Sequence, residues 1–183
     1  GSLPDAAWMD QWSNDSDKKS YALFRETMAG AGRRVEDLSL GQNMEIDGVR
    51  FEILGVKNPE ITRNAVNNSS LVLRIADKAK SVLFLGDLGV EGGEKLLKSP
   101  HADRLPSDYV QMAHHGQRGV TEAVYQKVHP SYCLWPTPKW LWDDDNGGGV
   151  GSGSWQTLEV RAWMDKMSIK RHYVMCEGIQ KIK

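Results

Sequence analysis

The stretch Ser81-Val-Leu-Phe-Leu-Gly-Asp87 decides the fold, because a short apolar run ends abruptly in a carboxylate. A run without polar alternation predicts a central strand that is buried on both faces. A second run, Tyr109-Val-Gln-Met-Ala113, ends in the same way at His114-His115-Gly116. Neighbouring strands about one βαβ unit apart would bring the carboxylate and the imidazoles to one edge of a sheet. We therefore predict that the chain is organised around that edge, which can bind a metal ion.

Each of these residues also has an ordinary structural explanation. Asp87 precedes Leu-Gly, which alone favours a turn. His114 and His115 could be one core and one surface histidine, and adjacent imidazoles point in different directions, so at most one readily faces a given metal. Their occurrence together with Asp87 favours the metal site. The other histidines have no such context and are expected to be structural or solvated: His101, His129 and His172.

The totals indicate one ordinary domain. The 183 residues are enough for a sizeable core, and 40% of them are hydrophobic. The formal net charge of −1, without a basic stripe, argues against nucleic acid as a partner. No apolar run approaches the roughly 20 residues that a membrane-spanning helix needs. We expect a single domain over residues 1–183, with no membrane segment and no assignable compartment.

The periodicity predicts hairpins in the first half of the chain and alternating strands and helices in the second. Asp47-Gly48 suits a turn with positive φ at both central positions, within a hairpin over residues 44–53. Residues 1–14 are predicted to be irregular. Helices are predicted over 15–32, 90–98, 121–128 and 155–167, and strands over 71–75, 82–85, 109–113, 132–135, 173–175 and 179–182. This order predicts an α/β domain with a mixed sheet and flanking helices.

A long loop over residues 136–154 is rich in tryptophan and glycine. Such a loop could form a lid or a substrate platform, which makes Trp140 and Trp142 candidate substrate-binding residues. The alternative is structural, with the indole rings filling a gap over the sheet. The residues of the loop do not decide between the two.

Three motifs, in this order and spacing, resemble the C-terminal half of metallo-β-lactamase-fold hydrolases: Asn67-Asn-Ser-Ser-Leu-Val-Leu-Arg74, Ser81-Val-Leu-Phe-Leu-Gly-Asp-Leu88 and Met112-Ala-His-His-Gly116. The chain is most similar to the extracellular nuclease-like domain of bacterial competence DNA-uptake proteins, and phosphorylcholine esterases of the superfamily are also similar. The resemblance covers most of residues 16–183. It implies a mixed sheet with flanking helices, as the C-terminal half of an αββα sandwich.

The resemblance also implies a role for each residue at the predicted edge. Asp87 matches the carboxylate that bridges two metal ions, His115 matches the final histidine ligand, and His114 would lie beside the substrate. The superfamily holds one or two metals, usually zinc, whose bound water is the nucleophile with its pKa lowered to about 7. The resemblance thus implies that Asp87 and His114 are catalytic, in a hydrolase of a phosphodiester or another small-molecule ester.

The sequence departs from the superfamily in its metal ligands. The leading motif His-x-His-x-Asp-His is absent, and Asn67 and Asn68 stand roughly where many members place another histidine. A late histidine is replaced within residues 151–154. Asp87 and His115 alone would give two protein ligands, against the three typical of catalytic zinc. We therefore expect a partial domain that binds zinc weakly and is inactive alone.

Two hypotheses follow from this departure. In the first, the missing N-terminal half of the domain supplies the other ligands and the complete protein is a metallo-hydrolase. In the second, the chain is a non-catalytic binding or structural module that retains the fold. A sheet without its partner layer would also expose apolar surface, which predicts a homodimer.

Overall fold

The sheet begins with the hairpin that Asp47-Gly48 predicts. β1 (Asn43–Ile46) and β2 (Val49–Gly55) pair antiparallel, and the two turn residues have φ of 51° and 78°. Positive φ at both positions matches the twist of the flanking strands. β3 (Val72–Ala76) and β4 (Ser81–Phe84) continue the sheet, each antiparallel to the strand before it.

Beyond β4 the sheet changes from antiparallel to parallel. The computed structural model, which describes residues 6–182, adds β5 (Tyr109–Gln111), β6 (Tyr132–Trp135) and β7 (Arg171–Val174), each parallel to its predecessor. The order of the seven strands in the sheet is their order in the chain. Parallel pairs need crossovers, so the carboxyl ends of β4 to β7 meet at one edge, here called the C-terminal edge.

Helices fill most of the connections between strands. Their bounds are α1 (Ala6–Trp12), α2 (Asp15–Gly30), α3 (Ala65–Asn68), α4 (Val90–Leu97), α5 (Glu122–Val128), α6 (Lys139–Trp142) and α7 (Thr157–Asp165). Helix α2 starts at a capping box, in which the Asn14 side chain accepts from the N–H of Asp17 at 2.9 Å. No helix among the described residues is long and apolar enough to cross a membrane.

One face of the sheet carries the main core. Leu83, Val110 and Cys133 lie side by side in β4, β5 and β6, and all three are fully buried. They pack with buried residues of α4, α5 and α7: Leu96, Val124, Tyr125, Val128, Val160 and Met164. Burial of this apolar surface holds the three crossover helices on the same face of the sheet.

The opposite face of the sheet is apolar but less covered. Five of its residues are here called the open face: Leu73, Ile75, Val82, Phe84 and Leu134. Phe84 pairs with Leu73 and Val82 pairs with Ile75, so their side chains form a continuous strip. The Phe84 side chain is 36% exposed, and the other four residues are partly buried. The prediction that β4 is buried on both faces is therefore wrong.

Three further local predictions are wrong. Residues 6–12 form α1, because Trp8 and Met9 bury their side chains against Ala65, a contact distant in sequence. Residues 139–142 form α6 within the predicted loop. Residues 179–182 form no strand, and Ile179 is 96% exposed. The predicted fold class, a mixed α/β sheet with flanking helices, is confirmed.

Candidate functional site

Asp87 follows β4 through a turn that several side chains hold in place. The Gln111 side-chain oxygen accepts from the N–H groups of Leu85 and Gly86, at 3.0 and 2.8 Å. The N–H of Asp87 donates to the Ser70 hydroxyl at 3.0 Å. The backbone is thus fixed while the carboxylate side chain remains 44% exposed. A rigid backbone with an accessible carboxylate is what a ligand-binding position at a sheet edge requires.

The two histidines leave β5 in an uncommon backbone conformation. His114 and His115 have φ of 51° and 60°, consecutive left-handed positions that cost of the order of 1–2 kcal/mol each. The N–H of His114 donates to the carbonyl of Gly86 at 2.9 Å, and the Thr137 hydroxyl donates to the carbonyl of His115 at 2.5 Å. Such strain persists where the surroundings fix it, and it is concentrated at functional sites.

Asp87 and His115 meet at the C-terminal edge. The Nε2 atom of His115 lies 3.5 Å from Oδ1 of Asp87. The other ring nitrogen, Nδ1, lies 3.1 Å from the carbonyl oxygen of Pro136, so Nδ1–H donates there, and Nε2 is the nitrogen with a lone pair in a neutral ring of this tautomer. Ligands of a tetrahedral zinc at 2.0–2.2 Å are about 3.4 Å apart, and ligating histidines donate their other N–H in this way. The pair therefore fits two ligands of one ion.

A third ligand is not supplied by the described part of the chain. No group of three or more histidine, cysteine or acidic side chains that could hold a metal occurs within residues 6–182. Asn67, near where the superfamily places a histidine, directs its amide nitrogen at Nε2 of His114, 3.1 Å away. The described residues thus fit part of a catalytic zinc site and do not complete it.

His114 is half-buried, whereas its neighbour His115 is exposed. Burial lowers the pKa of His114, and the nearby Asp87 carboxylate opposes this shift without cancelling it. The imidazole is therefore neutral at pH 7, and its Nε2 is in contact with Asn67. His114 does not share the contact between Asp87 and His115.

The turn that follows the histidines packs on Trp135. Gly116 has φ of 85°, and a side chain at this position would run into the indole ring. The Trp135 indole N–H donates to Nδ1 of His172 at 2.9 Å. Burial lowers the pKa of His172, which keeps its imidazole neutral and able to accept this bond. His172 therefore has the structural role expected of it.

The structure places the two candidate tryptophans in different environments. Trp142 packs edge-on against Trp135, with ring centroids 5.1 Å apart, and the Arg161 guanidinium lies 4.0 Å over its ring. Trp140 is 51% exposed and meets Trp155 edge-on at 4.9 Å. Trp140 thus offers an accessible aromatic face, whereas Trp142 contributes to packing. A substrate role for either residue stays a prediction.

Sequence reasoning missed the residues that support the edge. Gln111 and Ser70 clamp the turn before Asp87, and Thr137 and Asn67 hold the two histidines. Gln111 could have been identified from the sequence, because it is a polar residue in an otherwise apolar strand. Asn67 and Ser70 lie in the motif of residues 67–74, which does not indicate their contacts with His114 and with the N–H of Asp87, and Thr137 lies in a loop without any signal.

No protein-family model matches the chain. Over 123 residues the chain is 29% identical to ComE operon protein 3 of Bacillus subtilis (strain 168), a match that covers 67% of this chain and 15% of that protein. Among solved structures, the metallo-β-lactamase fold protein YhfI from Bacillus subtilis is 9% identical, with a TM-score of 0.42 over 76% of this chain and 50% of that one. The sequence match confirms the resemblance predicted from the three motifs, to the competence-protein branch of the metallo-β-lactamase-fold superfamily.

Proposed function

We propose that Asp87 and His115 contribute to the metal centre of a hydrolase that cleaves an ester, with a phosphodiester as the leading candidate. The observation that carries this proposal is the 3.5 Å separation of His115 Nε2 and Asp87 Oδ1, with His115 Nδ1 donating to a backbone carbonyl. The resemblance to the superfamily supports the reaction class. The chain spans 15% of the length of its curated relative, so the activity is proposed for the whole protein.

The remaining ligands would come from residues outside 6–182, as the resemblance implies. A zinc ion held there would supply a bound water whose pKa is about 7. Asp87 and His115 would hold the ion on the rigid C-terminal edge. His114 would contact the substrate beside it, and the exposed face of Trp140 would support the substrate's apolar part.

Zinc binding tests the two ligands directly. We expect the chain to bind zinc weakly by titration calorimetry, and Asp87→Asn or His115→Asn to weaken binding at least about 10-fold, because each removes one of few donors. His129→Asn is the matched control, since His129 also has a left-handed backbone, with φ of 50°, which asparagine adopts readily. Unchanged zinc affinity in His115→Asn would reject this ligand assignment.

Activity tests the reaction class. We expect the full-length protein loaded with zinc to hydrolyse a chromogenic phosphodiester and Asp87→Asn to abolish turnover. If the protein hydrolyses a carboxylic ester but not the phosphodiester, the proposed substrate is wrong and the proposed hydrolase activity is supported. Full-length protein that is loaded with zinc yet inactive on both esters would reject the enzyme and favour the non-catalytic module.

We also propose that the open face makes the chain self-associate. The resemblance implies a second sheet over this face, and without that sheet the apolar strip around Phe84 would remain in water. We expect a dimer by light scattering at micromolar concentration and a monomer for Phe84→Lys. Phe24→Lys is the control, because Phe24 is 41% exposed on α2, outside the sheet. A monodisperse monomer of the unmodified chain would contradict this proposal.

A further inference from the structure

We infer that Asn67 is a positioning residue that holds His114 in its Nδ1–H tautomer, which makes His114 a neutral hydrogen-bond donor toward the substrate. The substrate-facing role rests on the proposed hydrolase function. The tautomer itself rests only on contacts within the described residues. In this role His114 acts neither as a metal ligand nor as a general base.

The side chains of Asn67 and His114 are in contact. The Asn67 side-chain nitrogen lies 3.1 Å from Nε2 of His114, across 47 positions of sequence. An amide nitrogen only donates, so Nε2 must accept with its lone pair. A neutral imidazole carries one proton, and that proton is then on Nδ1.

The backbone of Asn67 is held in place by the hydrogen bonds of its neighbour Asn68. Its neighbour Asn68 is fully buried, and the Asn68 side chain donates to the carbonyl of Arg63 at 2.9 Å and accepts from the N–H of Gly92 at 2.8 Å. The Asn58 side chain donates to the Asn68 carbonyl at 2.6 Å. These bonds tie α3 to α4, so the amide of Asn67 projects from a fixed backbone.

The backbone of His114 is also fixed by a hydrogen bond. Its N–H donates to the carbonyl of Gly86, and its backbone has the left-handed conformation, with φ of 51°. The ring is thus held at its backbone and at Nε2. Within residues 6–182 no acceptor is bonded to Nδ1, which leaves this N–H available.

The chemical consequence follows from these attachments. With Nε2 engaged by Asn67, His114 cannot accept a proton there without losing that bond. A preorganised neutral N–H can stabilise negative charge that develops on a substrate oxygen, and removal of one such donor reduces kcat by about 10²–10³ in known enzymes. Asn67 would contribute to this effect by orienting the ring.

The tautomer can be measured in the metal-free chain labelled with ¹⁵N, at pH 8, by two-bond proton–nitrogen correlations. We expect the His114 ring to show a protonated Nδ1 and an unprotonated Nε2. Asn67→Asp should reverse this pattern, because a carboxylate accepts from Nε2–H. Asn67→Ala should give a mixture, since it removes the donor without adding charge. The His114 signals are assigned by their loss in His114→Asn, and those of His129 are expected to stay unchanged.

Two results would overturn the inference: an Nε2–H tautomer in the unmodified chain, which would mean that the Asn67 oxygen faces the ring, or an unchanged tautomer in both Asn67 variants. Neither measurement needs metal or turnover. A failed tautomer test therefore leaves the hydrolase proposal standing, and an inactive full-length protein leaves the positioning role of Asn67 standing.

Discussion

Gly116→Ala should lower the free energy of unfolding by about 3 kcal/mol. A Cβ at this position would lie 2.7 Å from Cζ3 of Trp135 and 3.0 Å from the Thr137 hydroxyl, and Trp135 is buried and bonded to His172. Overpacking of this kind costs about 1–3 kcal/mol, and a non-glycine residue at φ of 85° adds roughly 1–2 kcal/mol. Thermal unfolding followed by circular dichroism should show a Tm about 6–12 °C lower.

Gly48→Ala is the control for Gly116→Ala, because it introduces the same backbone strain without a steric clash. Gly48 has φ of 78°, close to that of Gly116, but a Cβ there would meet no atom within 4 Å. We expect this control to lose only about 1–2 kcal/mol, the cost of the left-handed conformation. Equal losses in the two variants would show that Trp135 yields to the new methyl group and that the turn is less tightly packed than its distances indicate.

Asn68→Ala should also destabilise the fold by about 3 kcal/mol. The substitution removes the acceptor for the N–H of Gly92, which lies in the first turn of α4, and the donor for the carbonyl of Arg63 and for the carboxylate of Glu91. A buried polar group left without a partner costs about 1–3 kcal/mol, which applies to the buried N–H of Gly92, and the two other hydrogen bonds are lost as well. Urea denaturation should show a lower midpoint with an unchanged m-value, because the folded surface stays the same.

Asn43→Ala is the control for this second substitution. The Asn43 side chain likewise donates to the Gly41 carbonyl and accepts from Arg104, but Asn43 is exposed. Water can replace both partners, so the expected change is within about 0.5 kcal/mol. A comparable loss in both variants would mean that burial is not what makes the Asn68 bonds important.

The parts of the fold that were predicted correctly have local signals. Asp47-Gly48 specifies its turn through its own φ preferences, and the apolar runs before Asp87 and His114 specify β4 and β5. The meeting of Asp87 and His115 follows from two parallel neighbouring strands that end at one edge, and the structure brings them to 3.5 Å.

The parts that were missed depend on contacts distant in sequence. Trp8 and Met9 of helix α1 are buried against Ala65, which is more than fifty positions away in the sequence. A periodic pattern within the seven residues of the helix cannot predict that contact. The bond between Asn67 and His114 is of the same kind. Asparagine is common in turns, so its residue type alone favours a loop over a role beside a histidine.

The agreement between strand order and chain order has a consequence for synthesis on the ribosome. Each strand pairs with the one made just before it, so the nascent sheet can grow by one strand at a time from β1 to β7. No strand has to wait for a partner beyond the next strand of the chain, since even the parallel pair of β6 and β7 joins Tyr132 to Arg171 with only α6 and α7 between them. At every stage the newest strand is the growing edge of the sheet, and the outer edge of β1 is the other unpaired edge, so wrong pairing can occur at these two edges.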